Sequence, residues 1–470
     1  MRKVVRPQFL NTTPVAGSMR EMFLIAAPMV ISQGAETVMI FTDRIFMSRL
    51  APELMSATMA GGLSVFMITT FFIGLTGYGN ALVAQYYGAG QRTRCSLVVT
   101  QTVIVALIGF PVVLALSPLV HILFDASGIE APQLGPQKSY FNILIYSSFA
   151  ALLRNCLSGF FSGIGRTAVI MIAALVSALV NVVLNYALIF GKLGMPAMGI
   201  QGAAIGTIIA GIAGLAVLFV WYLRYRSDVH WGIAGSLRFD SAVMGRLVRY
   251  GWPAGLELFS NLIAFNFMIL VFHGHSLVTA AAATIVFNFD LVSFVPLIGI
   301  QIGVTSLVGR SMGRGDPDTA QRATFAGLKL GWIYSGAILM LFLSFPGELV
   351  ELFRPVHHSD IFEQARPLAV FMLRVAALYV MTDTMFAVLS GALRGAGDTV
   401  WAMLITGTLH WALVPILYGT LNVLKLSARI GWVTLVCVFI SFSAAIIWRY
   451  ARGPWRTLRV VDGDALPGSD

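Results

Sequence analysis

The peptide LVAQYYGAGQ, residues 82–91, has a counterpart in LVGRSMGRGD, residues 307–316. Leu82 follows Pro28 at the same distance along the chain as Leu307 follows Pro253. A second pair of glycine-rich motifs occurs later in the chain: SGIGRT at 162–167 and RGAGDT at 394–399. Motifs that recur at equal spacing indicate an internal repeat. We therefore expect two related halves.

The composition is that of a polytopic membrane protein. Of the 470 residues, 57% are hydrophobic and only 11% are charged, whereas a soluble domain carries about 25% charged residues. Runs of roughly 20 apolar residues are long enough to cross a bilayer, and in lipid such runs must be helical. Twelve such runs are predicted, near residues 22–48, 54–86, 97–119, 139–163, 167–190, 200–224, 247–272, 279–311, 324–346, 368–392, 399–421 and 430–450. The predicted fold is an all-α integral membrane protein with twelve transmembrane helices in two pseudo-symmetric six-helix bundles.

The basic residues predict the orientation. If both termini are cytoplasmic, most of the 31 Lys and Arg residues fall in cytoplasmic loops, as the positive-inside rule requires. The net charge of +10 then follows from the loops, without a nucleic-acid partner. Six spans per half make the repeat parallel, about an axis normal to the membrane. The predicted organisation is an N-terminal tail (1–21), a first bundle (22–224), a cytoplasmic linker (225–246), a second bundle (247–450) and a C-terminal tail (451–470).

Several segments of the chain resemble one transporter family. They are LVAQYYGAGQ after the second span, the Pro28-to-Asp43 segment, NVVLNYALIFGKLGMPAMGIQGAAIGT at 181–207, and YVMTD at 379–383 followed by LRGAGDT. Their order and spacing resemble those of multidrug and toxic compound extrusion (MATE) transporters of the NorM-type branch, over roughly residues 22–450. The resemblance implies a V-shaped pair of bundles around a central cavity. It also implies export of organic cations, drugs and dyes in exchange for Na⁺ or protons.

The N-terminal half carries the first candidate site. Asn181 and Asn185 share a helix face because they are four residues apart. Asp43 and Thr207 add a carboxylate and a hydroxyl, so the set offers the hard oxygen donors that suit Na⁺. In the resembled family the residues matching these four form a cation site. The residues alone leave two other interpretations open, an interfacial carboxylate beside Arg44 and a pair of asparagines that only joins helices.

Glu36 adds a second carboxylate to the first span. It precedes Asp43 by seven residues, which places both on nearly the same helix face. We therefore predict Glu36 to be part of the cation-coupling site, where two carboxylates would resist simultaneous ionisation. The alternative is an ion pair with Arg154 inside the membrane.

The C-terminal half carries the second candidate set. A charge at the bilayer centre costs on the order of 3 kcal/mol, so Asp383 needs a compensating environment. In the resembled branch the residues matching Asp383 and Tyr379 help to bind the coupling cation or the substrate. Arg374 lies roughly 14 Å from Asp383 along the helix and on the opposite side of it, about half a turn around the axis, so it is a poor partner. Where the branch has an acid in the seventh span, this chain has Asn261. The remaining candidates for a rebuilt acidic cluster are Glu257 and Asp290.

We expect a secondary active antiporter that exports organic cations or drugs by alternating access. Cargo and coupling cation would compete for the same buried negative charge. Sequence motifs of embedded enzymes, such as HExxH or a nucleophile elbow, are absent, so an enzyme is not expected. The alternatives are a lipid-linked oligosaccharide flippase of the same broad superfamily, or an exporter of an endogenous metabolite.

Further expectations concern partners and location. We expect cationic amphipathic small molecules as cargo, membrane lipid around a monomer, and no cofactor other than the coupling ion, Na⁺ or H⁺. The N-terminus has no compact apolar core with a cleavage site, so no cleaved signal peptide is predicted. The predicted location is the inner (plasma) membrane. The three cysteines and the His273–His275 pair give no metal or disulfide pattern.

Overall fold

The computed structural model describes residues 15–126, 131–355 and 360–461, and every regular element within them is helical. Eleven of the described helices are long and apolar enough to cross a membrane, and a pair of helices bent by 45° makes a twelfth span. In chain order the spans are α1 (Met19–Ser48), α2 (Glu53–Gly88), α3 (Arg92–Ala126), α4 (Pro132–Leu144 and Ser147–Gly163), α5 (Thr167–Phe190), α6 (Gly199–Ser227), α7 (Ser241–His275), α8 (Leu277–Gly313), α9 (Pro317–Ser344), α10 (Asp360–Ala396), α11 (Thr399–Val423) and α12 (Ala428–Arg452). The predicted fold class is confirmed.

Polar side chains at the loop ends determine where several spans begin. Ser18, Asp240, Ser276 and Asp316 each accept a hydrogen bond from the backbone N–H three residues later. Such caps satisfy N–H groups that the first helical turn leaves without partners. The outer surface of the spans is apolar, and residues such as Leu179 and Ile333 are exposed. This surface fits contact with lipid.

The two glycine-rich repeat motifs cross each other where α2 and α8 end. A Cβ on Gly88 would lie 2.0 Å from the carbonyl oxygen of Arg310, and a Cβ on Gly313 would lie 2.0 Å from that of Gln85. Gln85 and Arg310 occupy equivalent places in the two motifs, as do Gly88 and Gly313. Each contact is therefore the repeat-related copy of the other. This is the arrangement expected about a two-fold pseudo-symmetry axis.

The same relationship extends along the interface between the halves. A Cβ on Gly74 of α2 would lie 2.6 Å from the backbone oxygen of Ala254 in α7, and one on Gly299 of α8 would lie 2.7 Å from the backbone nitrogen of Val30 in α1. Gly74 and Gly299 are related by the same sequence offset as Pro28 and Pro253. The halves therefore meet through two equivalent helix pairs, α1 with α8 and α2 with α7.

The ends of α4 and α10 join this crossing. The Gln85 side-chain amide donates to the carbonyl of Gly395 at 2.7 Å, and the Ser306 hydroxyl donates to the carbonyl of Ser162 at 2.5 Å. Both hydrogen bonds link one half to the other. Four helix ends, those of α2, α4, α8 and α10, thus meet at one end of the molecule. The predicted topology assigns that end to the cytoplasm.

Some spans have different limits in the structure from those predicted from the sequence. The fourth run, predicted as one span over 139–163, consists of two helices with a bend between Leu144 and Ser147. The seventh span begins at Ser241 and the tenth covers Asp360–Ala396, so both are longer than predicted. Polar residues at these helix ends lower the local hydropathy without ending the helix.

Candidate functional site

The four predicted oxygen donors of the N-terminal half lie together between α1, α5 and α6. The Asn185 amide donates a hydrogen bond to Asp43 Oδ1, and the Asn181 amide donates to Thr207 Oγ1 at 3.2 Å. The Thr207 hydroxyl has one proton and two acceptors in reach, Ala203 O at 2.9 Å and Asp43 Oδ2 at 3.4 Å. The grouping predicted for these residues is present in the structure, and Asp43 is held by neutral donors rather than by Arg44.

Two oxygens of this cluster lack hydrogen-bond partners. Asn181 and Asn185 are fully buried, and the Oδ1 atom of each has no hydrogen-bond partner among the described residues. Buried polar atoms are normally satisfied, so an unpaired one calls for an explanation. The amide nitrogen of Asn185 faces Asp43, while its oxygen lies against Gly206. A cation beside Asp43 would supply the missing partners once the amide groups turn their oxygens towards it. The donor set fits Na⁺, and the carboxylate alone fits a proton.

Gly206 makes room for this cluster, and the sequence analysis did not identify it. A Cβ at this position would lie 1.9 Å from Asn185 Oδ1. Only glycine lets α6 approach Asn185 this closely. Its place next to Thr207 in the AAIGT segment was the one sequence feature that could have indicated this role. Without the position of α5, however, it cannot be told apart from the other glycines among the 46 in the chain.

Glu36 does not join the Asp43 cluster. Its Oε1 lies 3.0 Å from Arg154 Nη2 of α4, and both side chains are partly exposed. This is the ion pair that the sequence analysis left open as the alternative. Glu36 and Asp43 are seven residues apart, so they share a helix face but are separated by two turns along α1. Arg154 lies close to Glu36 and not to Asp43. The structure thus gives Glu36 a local counter-charge of its own.

A cavity of about 520 Å³ lies between the two halves. Residues of both halves line it, from Met29 and Asn80 on one side to the C-terminal candidates on the other. Its lining includes every predicted residue of the C-terminal set: Asp383, Tyr379, Glu257, Asn261 and Asp290. None of the four residues of the Asp43 cluster belongs to the lining. The molecule therefore has two separate polar sites, and direct competition of two ligands for Asp43 does not fit this geometry.

Asp290 and Tyr379 form a hydrogen-bonded pair in the cavity wall. The Tyr379 hydroxyl donates to Asp290 Oδ1 at 2.5 Å. Asp383, one turn after Tyr379, also lines the cavity, and no ion pair joins it to Arg374 among the described residues. Tyr379 was predicted to act with Asp383, but its hydroxyl is directed to Asp290 of α8. The two aspartates remain as carboxylates without cationic partners in the described part of the chain.

Glu257 is separated from the aspartates by a partner of its own. Its Oε1 lies 2.8 Å from Arg394 Nη2, and Glu257 is buried. Glu257 Oε2, Arg394 Nε and Asn261 Oδ1 have no hydrogen-bond partner among the described residues. The prediction that Glu257, Asp290 and Asp383 form one acidic cluster is therefore wrong in part. The acids share a cavity, but Arg394 neutralises Glu257.

Aromatic side chains frame the acidic part of the cavity. Tyr379 stacks on Phe439, with ring centroids 5.5 Å apart and planes inclined by 19°. His410 lies 4.6 Å from Phe442, which is 5.1 Å from Phe439. Flat apolar cations can stack on such surfaces while carboxylates attract their charge. Sequence reasoning did not identify His410, since a single histidine in an apolar run gives no pattern.

A comparison with protein families identifies the repeat directly. The MatE family model matches residues 28–187 and again residues 253–418. These two segments lie on either side of the linker and together cover more than half of the chain. Each begins at one of the two prolines that start the repeat.

Relatives in sequence extend over nearly the whole chain. It is 24% identical to the probable multidrug resistance protein NorM of Thermotoga maritima, with 98% of each chain covered. It is 29% identical to the multidrug resistance protein NorM of Burkholderia vietnamiensis, covering 91% of this chain and 92% of the relative. The multidrug resistance protein PmpM of Pseudomonas aeruginosa is 28% identical, covering 86% and 84%.

Solved structures have the same fold. A MOP superfamily transporter from Pyrococcus furiosus, described as having a binding pocket of reverse polarity, superposes with a TM-score of 0.84 at 19% identity, covering 96% of this chain and 100% of that one. An outward-facing multidrug resistance MATE family transporter superposes with a TM-score of 0.83 at 19% identity, covering 94% and 98%. With the two family-model matches and the paired six-helix architecture, the chain belongs to the MatE family of membrane transporters.

Proposed function

We propose that this protein is a secondary active multidrug exporter that uses a cation gradient. The observation that carries the proposal is the cavity between the halves. Its wall combines two carboxylates, which have no cationic partner in the described ranges, with a row of aromatic rings. Carboxylates inside a membrane protein are costly unless they face water or a ligand. A cationic, partly apolar cargo supplies both the charge and the apolar surface that this wall accommodates.

The proposed coupling site is the Asp43 cluster. Asp43, Asn181, Asn185 and Thr207 would hold Na⁺ through their oxygens, or Asp43 would take up a proton. The Oδ1 atoms of the two asparagines, which find no hydrogen-bond partner in the part of the chain that the structure describes, support this assignment. A bound cation neutralises a buried carboxylate and so changes how tightly α1, α5 and α6 can pack.

Helix α1 provides the proposed link between the two sites. It carries Asp43, it packs against α5 and α8, and its residue Met29 lines the central cavity. α8 in turn carries Asp290. A shift of α1 on cation binding therefore reaches the cargo cavity through direct packing. Cargo and cation then exclude each other through two states of the protein, as antiport requires.

The cargo class follows from the cavity. Asp290 and Asp383 attract positive charge, and the one arginine of the lining, Arg394, is paired with Glu257. We infer cationic amphipathic molecules as cargo, which a pyrophosphate-linked lipid is not. The multidrug resistance names of the relatives agree with this inference. We further propose a monomer in the plasma membrane with both termini cytoplasmic.

The test is ethidium efflux from proteoliposomes with a Na⁺ gradient and a pH gradient imposed separately. Efflux with either gradient, and none without, supports the proposal and identifies the coupling ion. An efflux rate that is the same with and without each gradient contradicts secondary active coupling. If folded protein moves no ethidium under either gradient, while a lipid-linked oligosaccharide crosses the bilayer, the flippase alternative replaces the exporter.

A further inference from the structure

The imidazole of His410 has a defined tautomer. In α11 its Nδ1 lies 2.8 Å from the carbonyl oxygen of Thr406, one turn earlier. A carbonyl oxygen can only accept, so Nδ1 carries the hydrogen. In the neutral imidazole the other nitrogen, Nε2, then has a free lone pair and is an acceptor. The hydrogen bond made by one ring nitrogen thus determines which nitrogen is free to accept a hydrogen bond from a ligand.

The side chain that carries this acceptor lines the cargo cavity. His410 is part of its lining, and Nε2 has no hydrogen-bond partner among the described residues. Phe442, at 4.6 Å between ring centroids, and Phe439, at 6.1 Å with its plane at 87°, hold the imidazole in place. These two rings offer no acceptor of their own, so Nε2 is the acceptor on this aromatic part of the wall.

We propose that His410 is a specificity-determining residue of the exporter: its Nε2 accepts a hydrogen bond from an N–H group on an aromatic cation. The inference rests on the proposed function and adds a chemical distinction among the cargoes. Aromatic cations that carry amino groups are bound more tightly than those of the same shape and charge without an N–H.

The physical basis is a directional contact that charge attraction and ring stacking do not supply, and the His410 variants separate it from any hydrogen bond that the carboxylates accept. Attraction by Asp290 and Asp383 depends on charge, and stacking on Phe439 depends on the flat ring. A hydrogen bond is directional, and a cargo without a donor leaves the buried acceptor unpaired. Sites that hydrogen-bond a ligand discriminate against analogues that lack the group. The expected preference is about tenfold in Kd.

Two dyes form a matched pair of probes. The diamino-N-methylacridinium cation and its bis(dimethylamino) analogue have the same ring system and the same permanent charge. Only the first has N–H donors. Dissociation constants for both are measured by fluorescence on the purified full-length protein. The readout is the change in the ratio of the two constants between the wild type and a variant, because the four extra methyl groups of the second dye contribute to the ratio in every protein.

The variants separate the acceptor from the rest of the ring. His410→Phe keeps a flat ring and removes the acceptor, whereas His410→Gln removes the ring but keeps an acceptor near the place of Nε2. The proposal predicts that the preference for the amino dye falls about tenfold in the phenylalanine variant and is largely kept in the glutamine variant. If His410→Phe does not fold, His410→Met replaces it with the same expectation.

Two results would overturn the inference while leaving the proposed exporter intact. One is a wild-type protein that binds both dyes equally. The other is a His410→Phe variant that binds both but keeps the wild-type ratio, or loses both in equal measure. If the wild-type protein exports neither dye under any gradient, the proposed function itself fails, and that failure is seen before any variant is made.

Discussion

Gly206 lies directly against the side chain of Asn185: a Cβ at position 206 would be 1.9 Å from Asn185 Oδ1. That oxygen is one of the two without partners in the Asp43 cluster. The absence of a side chain on α6 therefore determines where an oxygen donor of α5 can lie. The proposed cation site depends on a residue that offers no ligand of its own.

Replacing Gly206 with alanine is expected to disable the cation site. The new methyl group displaces the Asn185 amide, which then loses its hydrogen bond to Asp43. Loss of one buried hydrogen-bonded position costs about 1–3 kcal/mol, so gradient-driven efflux falls about tenfold or more. The matched control is Gly211→Ala on the same helix, where the nearest atom is an ordinary 3.8 Å away. Equal efflux by the two variants would show that Gly206 has no special role.

The crossing of α2 and α8 predicts a strong effect on stability. Gly88→Ala places a methyl group against the backbone of Arg310, which cannot rotate away as a side chain can. Overpacking of this kind costs about 1–3 kcal/mol. We expect a clearly lower Tm in detergent for Gly88→Ala and, by the repeat, for Gly313→Ala. In the control Gly62→Ala the nearest atom is 3.9 Å away, and its Tm should stay at the wild-type value.

The Glu257–Arg394 pair predicts a non-additive double mutant. Glu257→Gln leaves the Arg394 guanidinium next to the buried residue 257 without a counter-charge. Removing one partner of a buried ion pair costs about 3–5 kcal/mol. Arg394→Gln leaves Glu257 in the same situation. The double variant removes both charges, so its Tm should lie above that of at least one single variant. Additive losses in this double-mutant cycle would argue that the two side chains do not interact.

Glu36→Gln should leave cation coupling in place. Glu36 is paired with Arg154 and makes no contact with the Asp43 cluster among the described hydrogen bonds and ion pairs. Because both side chains of the pair are partly exposed, the loss of stability is about 1 kcal/mol or less. Efflux driven by the coupling gradient is the measurement. A loss as complete as that of an Asp43 variant would return Glu36 to the coupling site.

Features that repeat along the chain were predictable from the sequence. The spans follow from apolar length, and the halves follow from motifs at equal spacing. Asn181 and Asn185 could be paired because four residues on a helix define a shared face. Their cluster with Asp43 and Thr207, however, came from the family resemblance, since three separate helices supply it.

The contacts between distant helices could not be predicted in this way. Two ion pairs join residues that lie far apart in the sequence: Glu36 with Arg154, and Glu257 with Arg394. The sequence alone offered several basic residues as possible partners of each acid. Helix periodicity determines a face but not the neighbour that covers it. The same limit applies to Gly206 and to His410, whose roles depend on what lies opposite them.

The repeat also shows that the halves differ in their polar residues. With the sequence offset that relates the two prolines, Asp43 corresponds to Met268. With the offset that relates SGIGRT to RGAGDT, Asn181 and Asn185 correspond to Leu413 and Leu417. The C-terminal half thus lacks the N-terminal oxygen cluster. The two halves share a fold, but the proposed cation site lies in the N-terminal half, and most of the polar residues that line the proposed cargo cavity lie in the C-terminal half.

The central claim is that a cation held at Asp43 drives export of cargo held in a separate cavity. The most direct measurement is on Asp43→Asn: ethidium affinity of the purified protein and uphill ethidium efflux from proteoliposomes under the coupling gradient. The account predicts that the variant still binds ethidium, because Asp43 does not line the cavity, but that its dissociation constant no longer changes when the coupling cation is added. Uphill efflux is lost, because the cation can no longer act on the cargo site. Wild-type efflux by Asp43→Asn, or an ethidium dissociation constant that still responds to the coupling cation as in the wild type, would contradict it.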